Sequence, residues 1–160
     1  MGMAALPCPG CHLLVERGAD GCQALFDEEA VRAYGDPRFA ARRRVIVDSY
    51  SLQHPDRYCV SAISLAAHLT GVCVAVEHPD REVALNAAIQ RWLSRRPRLE
   101  RPTPALDRGE LTIADLRAAT EPTEHARVVA AWAGTTWAAY RDLQDVARTW
   151  IDEVDRERTA

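Results

Sequence analysis

Hydrophobic positions recur along the chain with the spacing of amphipathic α-helices. The pattern is clearest near the end, where apolar residues between Val128 and Val154 follow the 3.6-residue period. It predicts one long final helix from about Thr123 to beyond Val154. Alternation typical of strands is nearly absent, since the β-branched run Val45-Ile46-Val47 lies inside a helical pattern. The chain is therefore predicted to be all-α, a bundle of five or six helices.

Proline, glycine and capping residues predict where the other helices begin and end. Asp36-Pro37 is typical of a helix start, and Pro55 limits that second helix to about Gln53. The other predicted elements are a first helix from after Asp20 to about Gly35, an apolar third helix over about 60–77, a fourth from His78-Pro79-Asp80 to about Arg95, and a short helix over about 112–119 with Thr112 as its N-cap.

The length of the chain predicts a single domain over residues 1–160, because a chain of this size supports one sizeable core. Residues 1–21 contain several prolines and glycines and no periodicity, so we expect a cysteine-containing loop that binds metal. Helices one to four fill residues 22–96. A Pro- and Arg-rich connector over 97–111 leads to the C-terminal helices over 112–160.

Composition narrows the classes of function. Hydrophobic residues make up 48% and charged residues 27%, and the formal net charge is −3, which argues against nucleic acid or an anionic membrane surface as a partner. All 20 basic residues are arginines, so reactions that need a lysine are excluded. Without a predicted secretory signal or apolar segment of membrane-spanning length, we expect a cytoplasmic protein with reduced thiols.

The sharpest local motif is Cys8-Pro9-Gly10-Cys11. Two thiolates separated by two residues can face one ion, and Pro and Gly suit the tight turn between them. Cys22, at the start of the first predicted helix, adds a third soft ligand. A fourth ligand would come from His12, His54 or Cys59. Sulfur ligands favour zinc over iron as the bound metal.

Two other interpretations of the cysteines remain open. Cys-Pro-Gly-Cys is also similar to the dithiol of thioredoxin-type proteins, although that dithiol follows a strand and none is predicted here. Alternatively, the five cysteines share no role. Their odd number argues against a disulfide framework in either case.

Three histidines lie on different predicted helices. His68 and His125 fall on apolar stripes, and His54 ends the second helix, so all three can point inward. Joined on one metal, they would form an open catalytic site with water as the fourth ligand. A single histidine on an apolar stripe is, however, more often a hydrogen-bonded core residue.

An enzymatic hypothesis uses a pocket of five candidate residues. A histidine would transfer the proton, and Asp48 would orient that histidine. Arg43 would hold the carboxylate of a small anionic metabolite. The residues of this pocket are Asp48, Tyr50, His68, His125 and Arg43.

Several motifs together resemble a family. They are Cys8-Pro9-Gly10-Cys11, Cys22, Asp36-Pro37, Val47 to Pro55 with its Tyr-x-x-Gln-His-Pro signature, Ser61, His68-Leu69, Leu111 to Asp115, His125, Trp132-Ala133 and Trp137. This combination resembles a bacterial family of unknown function over nearly the whole chain. The resemblance implies no particular activity.

The chain departs from that family at three places. Many relatives carry a histidine at the position of Arg43 and a histidine pair near Leu143-Gln144, and glycine is usual at the position of His12. The two histidine losses, at Arg43 and near Leu143-Gln144, argue either against metal binding here or for one site instead of two. Cys8, Cys11, Cys22 and His54 remain as a complete set of three thiolates and one imidazole.

The leading hypothesis is therefore a small helical zinc protein with Cys8, Cys11, Cys22 and His54 as ligands, a closed site of the structural type. The enzyme with a small-molecule ligand is the second hypothesis. The third is a non-catalytic accessory or regulatory module that uses the long last helix as a partner surface. The oligomeric state stays open.

Overall fold

The computed structural model describes residues 4–160, and helices dominate this part of the chain. In order, the elements are β1 (Ala5–Pro7), β2 (Leu14–Glu16), α1 (Ala19–Gly35), a 3₁₀ turn (Pro37–Phe39), α2 (Arg43–Gln53), α3 (Pro55–Tyr58), α4 (Ala62–Glu77), a 3₁₀ turn (Pro79–Arg81), α5 (Glu82–Ser94), α6 (Ile113–Ala118), α7 (Pro122–Ala139), a 3₁₀ turn (Arg141–Leu143) and α8 (Gln144–Thr159). The predicted all-α bundle is confirmed.

Helix α4 is the central element, because α2, α5, α7 and α8 all pack against it. Its apolar composition explains this position, since Leu65, Leu69, Val72 and Cys73 are all fully buried. The helix begins with a capping box, in which the side chains of Ser61 and Ser64 each accept a hydrogen bond from the other residue's backbone N–H.

The core has two parts. One contains Trp92 and Trp150 and joins α4, α5 and α8. The other contains Trp132 of α7 together with Cys8 and Cys22, so the N-terminal cysteines are packed into the hydrophobic interior. This second cluster positions the candidate site.

The N-terminal segment differs from the predicted loop. Strands β1 and β2 pair antiparallel, with Leu6 opposite Val15. The backbone N–H of Cys8 donates to the carbonyl of Leu13 at 2.8 Å and continues the hairpin into the cysteine motif. Strands of three residues are too short to show a period, which is why the sequence pattern did not predict them.

The second predicted helix starts where expected but is interrupted. The Asp36 carboxylate accepts a hydrogen bond from the backbone of Arg38, as predicted for an N-cap, yet the following turn is a short 3₁₀ helix and α2 begins only at Arg43. The predicted cap of α6 is confirmed, because Thr112 forms a capping box with Asp115.

The predicted single final helix is wrong, because it divides at Tyr140 into α7 and α8. There the backbone N–H of Tyr140 bonds to the carbonyls of Thr136 and Trp137, and its hydroxyl donates to the carbonyl of Leu52 at 2.6 Å. The Gln144 side chain donates to the carbonyl of Trp137 at 3.0 Å. The apolar period survives the break, so periodicity alone did not reveal it.

The apolar residues of α8 face the interior. Trp150, Ile151 and Val154 are buried, and α8 packs on α4 and α5. Among residues 4–160, no helix combines the length and the hydropathy needed to cross a membrane.

The hydrogen bond between Tyr140 and Leu52 leads to a prediction about stability. Tyr140→Phe leaves the buried carbonyl of Leu52 without this donor, and we expect the free energy of unfolding to fall by about 1–3 kcal/mol. Urea unfolding measures it. Tyr34→Phe is the control, because Tyr34 is 78% exposed and should change stability little. Equal effects of the two substitutions would contradict the account.

Candidate metal centre

The turn of the N-terminal hairpin brings Cys8 and Cys11 together. The backbone N–H of His12 donates to the carbonyl of Cys8 at 2.9 Å, which closes the turn around Pro9 and Gly10. A Cβ at position 10 would overlap the ring of His54, so glycine permits the turn to approach that ring. Both cysteines are buried against the bundle.

Helix α1 supplies the third sulfur. Cys22 lies in the first turn of α1, where the backbone N–H groups favour a thiolate. Its side chain is fully buried. The start of α1 therefore places one sulfur close to the cysteines of the hairpin.

The junction of α2 and α3 supplies a nitrogen ligand from His54. The imidazole Nδ1 lies 2.7 Å from the backbone carbonyl of Tyr50, and because a carbonyl only accepts, Nδ1 carries the hydrogen. Nε2 is then the atom that can offer a lone pair, as is usual for a metal-binding histidine with such a partner. The ring of Tyr50 stacks on the imidazole with a centroid distance of 4.0 Å.

The four predicted ligands converge on one point. Nε2 of His54 lies 3.4 Å from Sγ of Cys8 and 3.5 Å from Sγ of Cys22. The sulfurs of Cys11 and Cys22 are 3.7 Å apart. All four ligand atoms lie within 4.8 Å of one another, so the group can hold a metal ion.

Neighbouring side chains orient the ligands. The hydroxyl of Tyr50 lies 3.5 Å from Sγ of Cys22, and the ring of Phe26 stacks on Tyr50 at 4.1 Å. Gln53 donates from Nε2 to the carbonyls of Arg108 and Leu111, both at 2.7 Å. The Tyr-x-x-Gln-His-Pro segment thus orients one ligand and attaches the connector to α2.

The cluster also sets the ionisation of its thiols. The hydrogen bond from Cys11 lowers the pKa of Cys22, and the Tyr50 hydroxyl lowers it further, against the opposing effect of burial. The same hydrogen bond, together with burial, raises the pKa of Cys11. Burial raises the pKa of Tyr50, so its hydroxyl stays protonated and can donate to the Cys22 thiolate. A thiolate is the form that binds metal.

The other two candidate fourth ligands lie outside the group. Cys59 donates from Sγ to the carbonyl of Ser51 at 3.5 Å, and burial raises its pKa to about 12. His12 sits in the turn with φ 64°, the left-handed region that favours glycine. In the described part of the chain, neither belongs to the four-ligand group.

The three histidines do not meet. Nδ1 of His68 lies 2.8 Å from Asp48 Oδ1, and Nε2 of His125 lies 2.6 Å from Glu29 Oε1. His54 alone joins the cysteines. The three-histidine metal site is therefore not formed.

The five-residue pocket of the enzymatic hypothesis is divided. Asp48 and His68 pair as expected, but Tyr50 belongs to the cysteine cluster and His125 pairs with Glu29. Arg43 instead places its guanidinium over the ring of Tyr34 at 4.7 Å.

Asp48 is a buried carboxylate between α2 and α4. It is 4% exposed, and its Oδ2 has no hydrogen-bond partner among residues 4–160. Nε of Arg44 lies 3.4 Å from this oxygen. A Cβ at Gly71 would collide with the carboxylate, so glycine allows the close approach. Burial raises the pKa of Asp48, although His68 and Arg44 oppose the shift.

A buried network around Glu29 was not predicted. Glu29 is 2% exposed and accepts a hydrogen bond from Arg117 at 3.1 Å. It also lies 2.6 Å from Nε2 of His125 and forms an ion pair with Arg32 at 2.6 Å. The sequence signal that could have indicated this network is the position of Glu29, a carboxylate on the apolar stripe of α1. The network joins α1 to α6 and α7.

A second group of donors lies at the end of α4. Atoms of Cys73, Glu77 and His78 are close enough to hold an ion. However, Arg148 donates to both oxygens of Glu77, at 3.0 and 2.6 Å, and Trp137 donates to one of them at 3.0 Å. The guanidinium already neutralises Glu77, so this group is the weaker candidate.

Comparison with known proteins identifies the class to which this helical protein with a Cys₃His cluster belongs. Residues 6–141 match DUF5946, described as a family of unknown function, and the chain belongs to that family. The matched region includes all four residues of the cluster. No curated protein and no solved structure matches the chain.

The raised pKa of Asp48 predicts a pH dependence of stability. A carboxyl whose folded pKa is above its unfolded value, about 3.8, stabilises the fold at low pH and loses that contribution as pH rises through the folded pKa. Relative to Asp48→Asn, the wild type should therefore become less stable from pH 4 upward and then level off. Urea unfolding of both proteins between pH 4 and 7 measures the difference, from which effects common to both cancel. A difference that favours the wild type increasingly with pH would contradict the prediction.

Proposed function

We propose that the protein binds one zinc ion through Cys8, Cys11, Cys22 and His54, and that the ion has a structural role. The observation that supports this is the convergence of three buried sulfurs and one oriented imidazole nitrogen within 4.8 Å. Three thiolates and a histidine are a ligand set typical of structural zinc.

The donor separations are compatible with tetrahedral zinc. Tetrahedral zinc, with bonds of about 2.3 Å to sulfur and about 2.0–2.1 Å to nitrogen, separates two sulfurs by roughly 3.8 Å and a sulfur and a nitrogen by roughly 3.6 Å. The corresponding distances here are 3.7 Å for Cys11–Cys22 and 3.5 Å for Cys22–His54. These two pairs of ligand atoms therefore need little movement to bind the ion.

Four protein ligands complete the coordination shell, which favours a structural over a catalytic role. The ion would join three parts of the chain: the hairpin with Cys8 and Cys11, the start of α1 with Cys22, and the junction after α2 with His54. Its binding free energy would then contribute to folding. Thiolate ligands also require a reducing compartment, so the proposal places the protein in the cytoplasm.

Metal removal tests the structural role. We expect one zinc per chain in the purified protein by elemental analysis. A chelator should lower Tm by on the order of 10 °C. We expect the free energy of unfolding to fall by about 3–5 kcal/mol, and each kcal/mol lowers Tm by roughly 2–4 °C in a chain of this size. The freed hairpin should also become sensitive to protease.

Matched variants separate the site from general damage. Cys8→Ser and His54→Asn should lose zinc, whereas Cys73→Ser, at a buried cysteine on α4, and His12→Gly should keep it. The proposal is wrong if metal removal leaves Tm unchanged, or if zinc survives the loss of both Cys8 and His54.

A second candidate function is proton transfer by the Asp48–His68 pair. The 2.8 Å hydrogen bond orients the imidazole, with Nδ1 toward the carboxylate. The His68 side chain is 20% exposed, so its outer face reaches solvent. This arrangement supports an acid/base role for His68 alone, without the other residues of the predicted pocket.

The tautomer of His68 tests this arrangement. The neutral ring should carry its hydrogen on Nδ1 while Asp48 is present, because the carboxylate accepts it. In Asp48→Ala the hydrogen should move to Nε2. Nitrogen NMR of the side chain distinguishes the two forms, and an Nε2–H tautomer in the wild type would contradict the proposal.

The third hypothesis, a partner surface on the last helix, gains no support. The apolar stripe of α8 is buried inside the bundle and is not available to another protein.

A further inference from the structure

A pocket of about 140 Å³ opens beside the Cys8–His54 edge of the metal centre. Its walls include Tyr50 and Pro55, and two arginines, Arg57 and Arg108, also line it. A cavity of about 150 Å³ is known to admit a molecule the size of benzene. The pocket is therefore large enough for a small organic molecule.

Arg108 provides a positive group in the lining of this pocket, and its guanidinium also lies near the Tyr140 hydroxyl. Its Nη1 is buried and has no hydrogen-bond partner among residues 4–160. Leaving a buried donor without an acceptor costs free energy, more so when the group is charged. The backbone carbonyl of Arg108 is fixed by Gln53, so the arginine is anchored at this place.

The charges around the pocket nearly balance, so a ligand held by Arg108 should carry no more than one negative charge. Arg57 adds a second positive group, and Asp56, also in the lining, adds a negative one. A zinc ion with three thiolates carries a net charge of −1, which disfavours a dianion beside it. Most of the lining is apolar, so the rest of the ligand should be apolar as well.

We propose that this pocket binds a small monocarboxylate of about the size of benzoate, with its carboxylate on Arg108 and its apolar body against the apolar part of the lining. A guanidinium is well suited to a carboxylate, because its N–H groups match the two oxygens. The inference rests on the proposed function only because the metal holds Cys8 and His54, which form one wall of the pocket.

Benzoate is the probe, titrated by calorimetry into the metal-loaded full-length protein. We expect one saturable site, and amide chemical shifts should change at Gly10 and His54. Arg108→Gln should weaken binding at least about tenfold, as expected for a lost charge-assisted hydrogen bond. Arg57→Gln should weaken it less. Arg91→Gln is the control, because Arg91 is exposed on α5 and does not line this pocket.

Two further probes, one neutral and one with a different negative charge, test the ligand class. Benzamide has nearly the same shape without the charge and should bind much more weakly than benzoate. Inorganic phosphate should not compete with benzoate. Equal affinity for benzamide, tighter binding of phosphate, or unchanged affinity in Arg108→Gln would each overturn the proposal.

The zinc content of every preparation keeps the two proposals distinguishable. Zinc present without saturable benzoate binding overturns the carboxylate pocket alone. Benzoate binding that depends on Arg108 in protein without zinc supports the pocket and overturns the metal proposal.

Discussion

The structure depends on how three buried sulfurs and one imidazole are held together. Strands β1 and β2 are three residues long and mostly exposed, with Leu6 54% and Leu14 69% accessible. A two-stranded hairpin of this kind is not stable by itself. The cluster around Cys8 and Cys11 packs the hairpin into the core, and the proposed ion would compensate the charge of thiolates buried there.

The segment from Tyr50 to Pro55 connects the proposed functions. The carbonyl of Tyr50 orients His54, and the ring of Tyr50 stacks on the imidazole. Gln53 holds the connector that carries Arg108. The ligand, its orientation and the pocket arginine are thus set by one turn of α2. A change in this turn would alter the metal centre and the adjacent pocket together.

The sequence predicted the helical class and the grouping of three cysteines with a histidine because both depend on local spacing and residue type. It did not predict the hairpin, whose strands are too short for a period, or the break at Tyr140, where no proline or glycine interrupts the pattern. Pairing of His125 with Glu29, 96 residues away, depends on tertiary packing. Tertiary packing also places His68 beside Asp48. The spacing of the three histidines alone therefore did not predict that each has a different partner.

X-ray absorption at the zinc edge of the protein as purified tests the central claim most directly. The account predicts a four-coordinate zinc with three sulfur neighbours at about 2.3 Å and one nitrogen at about 2.0–2.1 Å. A coordination shell of only nitrogen and oxygen, or protein that folds without any bound metal, would contradict it.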